Sequence, residues 1–124
     1  MPESAADALK RRTRDFALAI IRLAQALPDH RAAQVLGRQL LRSGTAVGAN
    51  YRSACRARSR ADFVSKIAIT EEEADETLYW LELLKEAGYV DRETHDRLHD
   101  EADQLTAIFS ASRKTARAGQ KQRM

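Results

Sequence analysis

Apolar residues recur at three- and four-residue steps along nearly the whole chain, in four runs parted by short polar breaks. In the first, Leu9, Phe16, Ile20, Leu23 and Leu27 share one face at 100° per residue, broadened by Ala17, Ile21 and Ala24. Ser4, with Asp7 three residues on, is placed to cap this helix. Pro28 ends it, because a proline there loses a hydrogen bond and clashes one turn back. The spacing predicts a helix over 5–27.

Asp29 is the predicted cap of a second helix over 30–57, in which Ala33, Leu36, Leu40, Val47, Tyr51 and Ala54 form the core arc. Gly37, Gly44 and Gly48 sit together on its flank with Cys55. An interior glycine costs about 1 kcal/mol relative to alanine, so three on one side imply that a neighbouring backbone passes close. A break at Gly44–Gly48 is the alternative to one continuous, bent rod. Asn50, at the edge of the arc, is expected to satisfy a polar group of a neighbouring helix.

Ser59 and Asp62 repeat the capping pattern and open a third helix over 60–87. Phe63, Ile67, Thr70, Ala74, Leu78, Leu81 and Leu84 make its core stripe. Ile69, Trp80, Leu83 and Ala87 form a second apolar strip, expected as a subunit contact anchored by Trp80. Trp80 closing over the bundle core is the competing expectation. Gly88 is the predicted left-handed stop and Asp91 the next cap. A fourth helix over 92–113 turns Leu98, Ala102, Leu105, Ile108 and Phe109 inward. Residues 113–124 hold cations, no acid and no large apolar residue before Met124, and are expected to be disordered.

The pattern thus defines one all-α domain over 1–112 with a basic tail. Composition agrees: 124 residues with two prolines, five glycines and 44% hydrophobic residues suit helix nearly throughout. No stretch alternates at strand period, and none is apolar over a membrane-spanning length or resembles a leader. A cytoplasmic protein without membrane contact is expected. Cys55 is the single cysteine, so there is no internal disulfide; it is expected buried or half-buried.

Net charge is only +3, but it is segregated. Cations run from Arg31 to Arg60 and from Arg113 to Arg123, acids crowd Asp62 to Asp103, and none falls between His30 and Ala61. Arg31, Arg38, Arg42, Arg52, Arg56 and Arg60 would project within about an 80° sector of a regular helix. Like charges one turn apart repel, so something anionic should lie over this face. The acidic third helix, of this chain or a neighbour, is one answer and a nucleic-acid backbone the other.

Catalytic patterns are missing. A di-iron bundle needs Glu-x-x-His pairs, and none occurs. His95 and His99, with Asp103 one turn on, could hold a metal at their edge, but a solvated face is the better reading. No phosphate loop or nucleophile elbow is present. No enzyme, cofactor or metal is expected.

Two stretches, RSGTAVGANYRSA at Arg42–Ala54 and ADFVSKIAITEEEADETLYWLELLKEAGY from Ala61, cover about a third of the chain. Their order of motifs, SGT–GAN then DF–K–ETLYWL, resembles the bacterial proteins encoded by intervening sequences of 23S rRNA genes. Gly44, Gly48 and Asn50 belong to the first motif. The resemblance implies an antiparallel up-down-up-down four-helix bundle, which agrees with four helices on short links. It also implies homo-oligomers, pentamers above all. Some relatives serve as accessory subunits of reverse transcriptases, contacting protein and RNA or DNA. The expected function is a non-enzymatic oligomeric module that contacts nucleic acid through the arginine face. A protein scaffold using that face in subunit contacts is the alternative.

Overall fold

The structure, a computed structural model, describes residues 2–122 and places on them α1 (Ala5–Ala26), α2 (Arg31–Cys55), α3 (Arg60–Glu86) and α4 (Arg92–Gln122). Capping chemistry sets most boundaries. The Asp7 N–H donates to Ser4 Oγ at 3.0 Å, and the Asp62 N–H to Ser59 Oγ at 3.0 Å. Gly88 takes φ 84°, and the N–H groups of Tyr89 and Gly88 donate back to Leu84 and Lys85 at 2.9 and 3.0 Å, closing α3. Asp29 is not the cap of α2: His30 holds that position, with no side-chain bond to the helix.

Each helix packs antiparallel against the next in sequence, and α1 meets α4 over a shorter stretch, giving an all-α up-down-up-down bundle. Ile20, Leu40, Ile67, Leu81, Leu105 and Phe109 are fully buried at its centre. Between α2 and α3 a buried hydroxyl pair replaces apolar packing, Thr77 Oγ1 donating to Ser43 Oγ at 2.9 Å. Small hydroxyl residues let the two axes approach while keeping each polar atom bonded.

The glycine flank of α2 is where α1 lies. A Cβ at Gly37 would meet Leu27, one at Gly44 would meet Ile20, and one at Gly48 would meet Thr13. The rod runs unbroken through all three, so close approach and not a break explains them.

Two expectations fail here. Asn50 donates to the Ala46 carbonyl of its own helix at 2.8 Å, the local bond that a short amide side chain can make to the acceptor one turn back. The basic tail is not disordered, for α4 continues through Gln122. Ala111, Ala116 and Ala118 favour helix, and cations suit a C-terminal end. Tertiary contacts hold it too: Arg113 Nε donates to Glu71 at 2.6 Å, and the Arg60 guanidinium lies where a Cβ at Gly119 would sit. Arg123 and Met124 lie outside the described residues.

Candidate functional site

The six arginines read as one row do not form one. Helix α2 ends at Cys55, so Arg56 is its C-cap, and the turn that follows puts Arg60 on α3. Arg42 is taken up by the acidic helix beside it, pairing with Glu73 at 3.1 Å and with Glu76. Arg31 and Arg38 are exposed at the far end of α2, Arg31 about 30 Å from Arg52 at 1.5 Å per residue. Only Arg52 and Arg56 remain together.

Those two arginines face cations of α1 that the row did not include. Because α1 and α2 are antiparallel, the first turns of α1 lie beside the last turns of α2. Lys10, Arg11, Arg14, Arg52 and Arg56 rim a groove of about 650 Å³ floored by Thr13, Ala17, Thr45, Gly48 and Ala49. No carboxylate lines it. The small floor residues keep it shallow and open, and both threonine hydroxyls are bonded within their own helices. Arg52 and Arg56 also border a second depression, with Arg58 and Lys66 on its far side. Cations at the C-terminal end of α2 are stabilised by its dipole.

The charges around this surface differ in availability. Arg11 donates to Glu3 at 2.9 Å, and that hydrogen bond holds the exposed Glu3 below the usual carboxylate range. Lys66 reaches Asp62 at 3.1 Å; the Arg58 backbone N–H, then Lys66, holds Asp62 below its ordinary value. Among the described residues Arg14, Arg52, Arg56 and Arg58 form no ion pair. Arg12, one residue from the rim, instead ties α1 to α4 through Glu101 at 2.7 Å and Gln104 at 2.8 Å. The periodicity of Lys10, Arg14 and Ala17 was visible in the sequence, but only the antiparallel register brings it opposite Arg52.

The outer strip of α3 is only partly exposed. Ile69 is 43% exposed and Ala87 exposed, while Leu83 and Trp80 are half-buried. Trp80 leans on the core with Tyr79 edge-on at 5.0 Å, and its Nε1 is buried with no hydrogen-bond partner. Tyr79, absent from the predicted strip, is 54% exposed.

His95 is not on a solvated face. It is 7% exposed, Nδ1 lies 2.9 Å from Asp96, and its ring is 4.9 Å from that of His99, whose Nε2 meets Glu82 at 3.0 Å. Among the described residues no three His, Cys, Asp or Glu side chains are placed to hold a metal. Cys55, expected buried or half-buried, is exposed on the last turn of α2.

Fold and surface together define a helical bundle with a cationic groove at one end. The chain belongs to the 23S rRNA-intervening sequence protein family, whose family model matches it over residues 8–111. A solved structure from Bacteroides thetaiotaomicron VPI-5482, a protein of unknown function from the S23 ribosomal protein family, is 37% identical and superposes with a TM-score of 0.82. The match covers 88% of this chain and 97% of that one. No curated protein matches the chain. No helix among the described residues is long and apolar enough to cross a membrane.

Proposed function

We propose that this protein is a non-enzymatic, oligomeric binding module of the cytoplasm that holds the backbone of RNA or DNA in the groove between α1 and α2. One observation carries the reading: five cations, Lys10, Arg11, Arg14, Arg52 and Arg56, line that groove without a carboxylate. Such a surface meets phosphates and reads no base edges, so binding depends on charge and little on sequence. No aromatic side chain lines the groove, so base stacking adds nothing there. A protein partner such as a reverse transcriptase, implied by the family resemblance, would be brought to the nucleic acid by the same module.

Salt tests this directly. Lys10 pairs with Asp7 at 3.9 Å and Arg11 with Glu3, so Arg14, Arg52 and Arg56 are the groove cations without a carboxylate partner among the described residues. With about three phosphate contacts, affinity for a labelled RNA or DNA oligomer should fall by between one and two orders of magnitude between about 50 and 200 mM salt. Arg52→Glu with Arg56→Glu, both exposed, should abolish binding while lowering the melting temperature by only a few degrees, the loss expected from reversing two charges at the C-terminal end of α2. Absence of binding at low salt, or retention by the double variant, overturns the reading.

Oligomerisation rests on the outer face of α3. Ile69 and Tyr79 are large, apolar and exposed on a helix whose core stripe already packs inward. Ile69→Asp with Tyr79→Asp should reduce the mass in solution to that of one chain, measured by light scattering. These two positions test the contact more cleanly than Trp80, whose side chain also supports the core. An unchanged mass removes α3 from the subunit interface. A ring would present several copies of the groove, so weak phosphate contacts would add through avidity.

A further inference from the structure

The groove between α1 and α2 shares a wall with a second one. A depression of about 500 Å³ follows the seam between α2 and α3, lined by Ala49, Arg52, Ser53, Arg56, Arg58 and Lys66. Ala49, Arg52 and Arg56 border both. The last turns of α2 therefore form a ridge with a cation-lined trough on either side. Among the described residues no carboxylate and no aromatic side chain lines either trough.

Register sets the cations of the two flanks at the same height. A Cβ at Gly48 would meet Thr13, so the antiparallel α1 brings Lys10 level with Tyr51 on the last full turn of α2. The bond from Thr77 to Ser43 sets α3 against α2, and counting equally along both helices places Lys66 level with Ala54. Among the described residues α1 and α3 share no contact, because they stand at diagonal corners of the bundle with α2 between them. With neighbouring axes about 8–10 Å apart, the two flanks lie roughly 11–14 Å apart.

The ridge is low where it faces outward. At about 100° per residue Ala49 marks the middle of that face, with Arg52 leaning to the α1 side and Ser53 to the α3 side. About two turns earlier Arg42 is held by Glu73 and Glu76, and the free cations end there. On the α3 flank Lys66 pairs with Asp62 at 3.1 Å. Arg58 is exposed and forms no ion pair among the described residues; its backbone N–H, and not its guanidinium, bonds Asp62.

We infer that the two troughs take the two strands of one B-form DNA duplex, with the outward face of α2 lying over its major groove. The inference rests on the nucleic-acid reading above and names the form that the surface fits. The major groove of B-DNA is about 12 Å wide, which matches the spacing of the flanks. Lys10, Arg14, Arg52 and Arg56 would meet phosphates of one strand, and Arg58 and Lys66 those of the other. Ala49 and Ser53, facing the groove between them, are too short to read base edges, so contact stays with the backbone. A single strand fills one trough only and finds no aromatic surface on which to stack its bases. Duplex RNA fits less well, because its major groove is deep and narrow.

Fluorescence anisotropy with three labelled probes tests this: a DNA duplex of roughly 12 base pairs, a little over one turn, one of its strands alone, and the RNA duplex of the same sequence. At about 50 mM salt the DNA duplex should bind the full chain at least about tenfold more tightly than either of the others. Arg58→Ala keeps the backbone N–H that bonds Asp62, so the fold should be intact by circular dichroism. On the DNA duplex it should lower the slope of log affinity against log salt by about one, the mark of one lost phosphate contact. On the single strand it should change nothing, whereas Arg14→Ala should lower the slope for both. Equal or tighter binding of the single strand or the RNA duplex overturns the inference and leaves the nucleic-acid reading standing. A duplex slope indifferent to Arg58→Ala does the same. Failure of all three probes to bind overturns both.

Discussion

Replacing Phe109 by alanine is expected to lower the free energy of unfolding by about 3–5 kcal/mol. Phe109 is fully buried, and its ring lies 5.6 Å from that of Tyr51 on α2. Truncation removes both the transferred surface and the aromatic contact, leaving a hole among fully buried neighbours. For a domain of this length the midpoint of thermal unfolding should drop by roughly 10–20 °C, read by circular dichroism. The consequence reaches the groove. Tyr51 precedes Arg52 by one residue, so its loosening should appear first as faster amide exchange in the last turn of α2. A drop below about 5 °C would mean that Phe109 is not the centre of the core at that end.

Gly44→Leu should also destabilise, by less and for the opposite reason, with a net loss of up to about 2 kcal/mol. A Cβ at this position would already lie 2.9 Å from Ile20 Cγ2 and 3.0 Å from Cγ1. Ile20 is fully buried and branched at Cβ, so turning one γ-carbon away brings the other in its place. The further atoms of leucine must push α1 away from α2. Overpacking of this kind costs roughly 1–3 kcal/mol and sometimes more, against about 1 kcal/mol regained by removing a glycine from a helix interior. Gly44→Ala, which adds the Cβ alone, separates the two effects: its midpoint should lie between wild type and the leucine variant. If Gly44→Leu melts at or above the wild-type temperature, close approach of α1 is not why glycine stands there. Lifting α1 would also part Lys10 and Arg14 from Arg52 and Arg56, so nucleic-acid affinity should fall even in molecules that stay folded.

The places where the reading from sequence parted from the structure share a cause. Helix starts were legible because Ser4 and Ser59 act on backbone groups three residues away, and the stop at Gly88 because a positive φ is a local demand. The end of α4 was not, because a basic tail without large apolar residues looks unstructured until Glu71 and Arg60 are found beside it. Arg42 looked like a member of an open row, and the carboxylates that occupy it, Glu73 and Glu76, are more than 30 positions away. His95 was placed on a wet face by period alone, and the helix packed over that face buried it. Asn50 failed in the other direction, since its partner Ala46 was local and a distant one was expected.

Periodicity, caps and the glycine flank determined by themselves that this chain is an all-α bundle of four helices and which face of each turns inward, because those signals act over one or two turns. Which charges survive as a usable surface was decided only by the tertiary structure. Pairing across helices neutralises some arginines, and antiparallel register brings others together from opposite ends of the sequence. Lys10, Arg14, Arg52 and Arg56 meet because α1 and α2 run in opposite directions, and a distance set by register cannot be read from spacing along one helix.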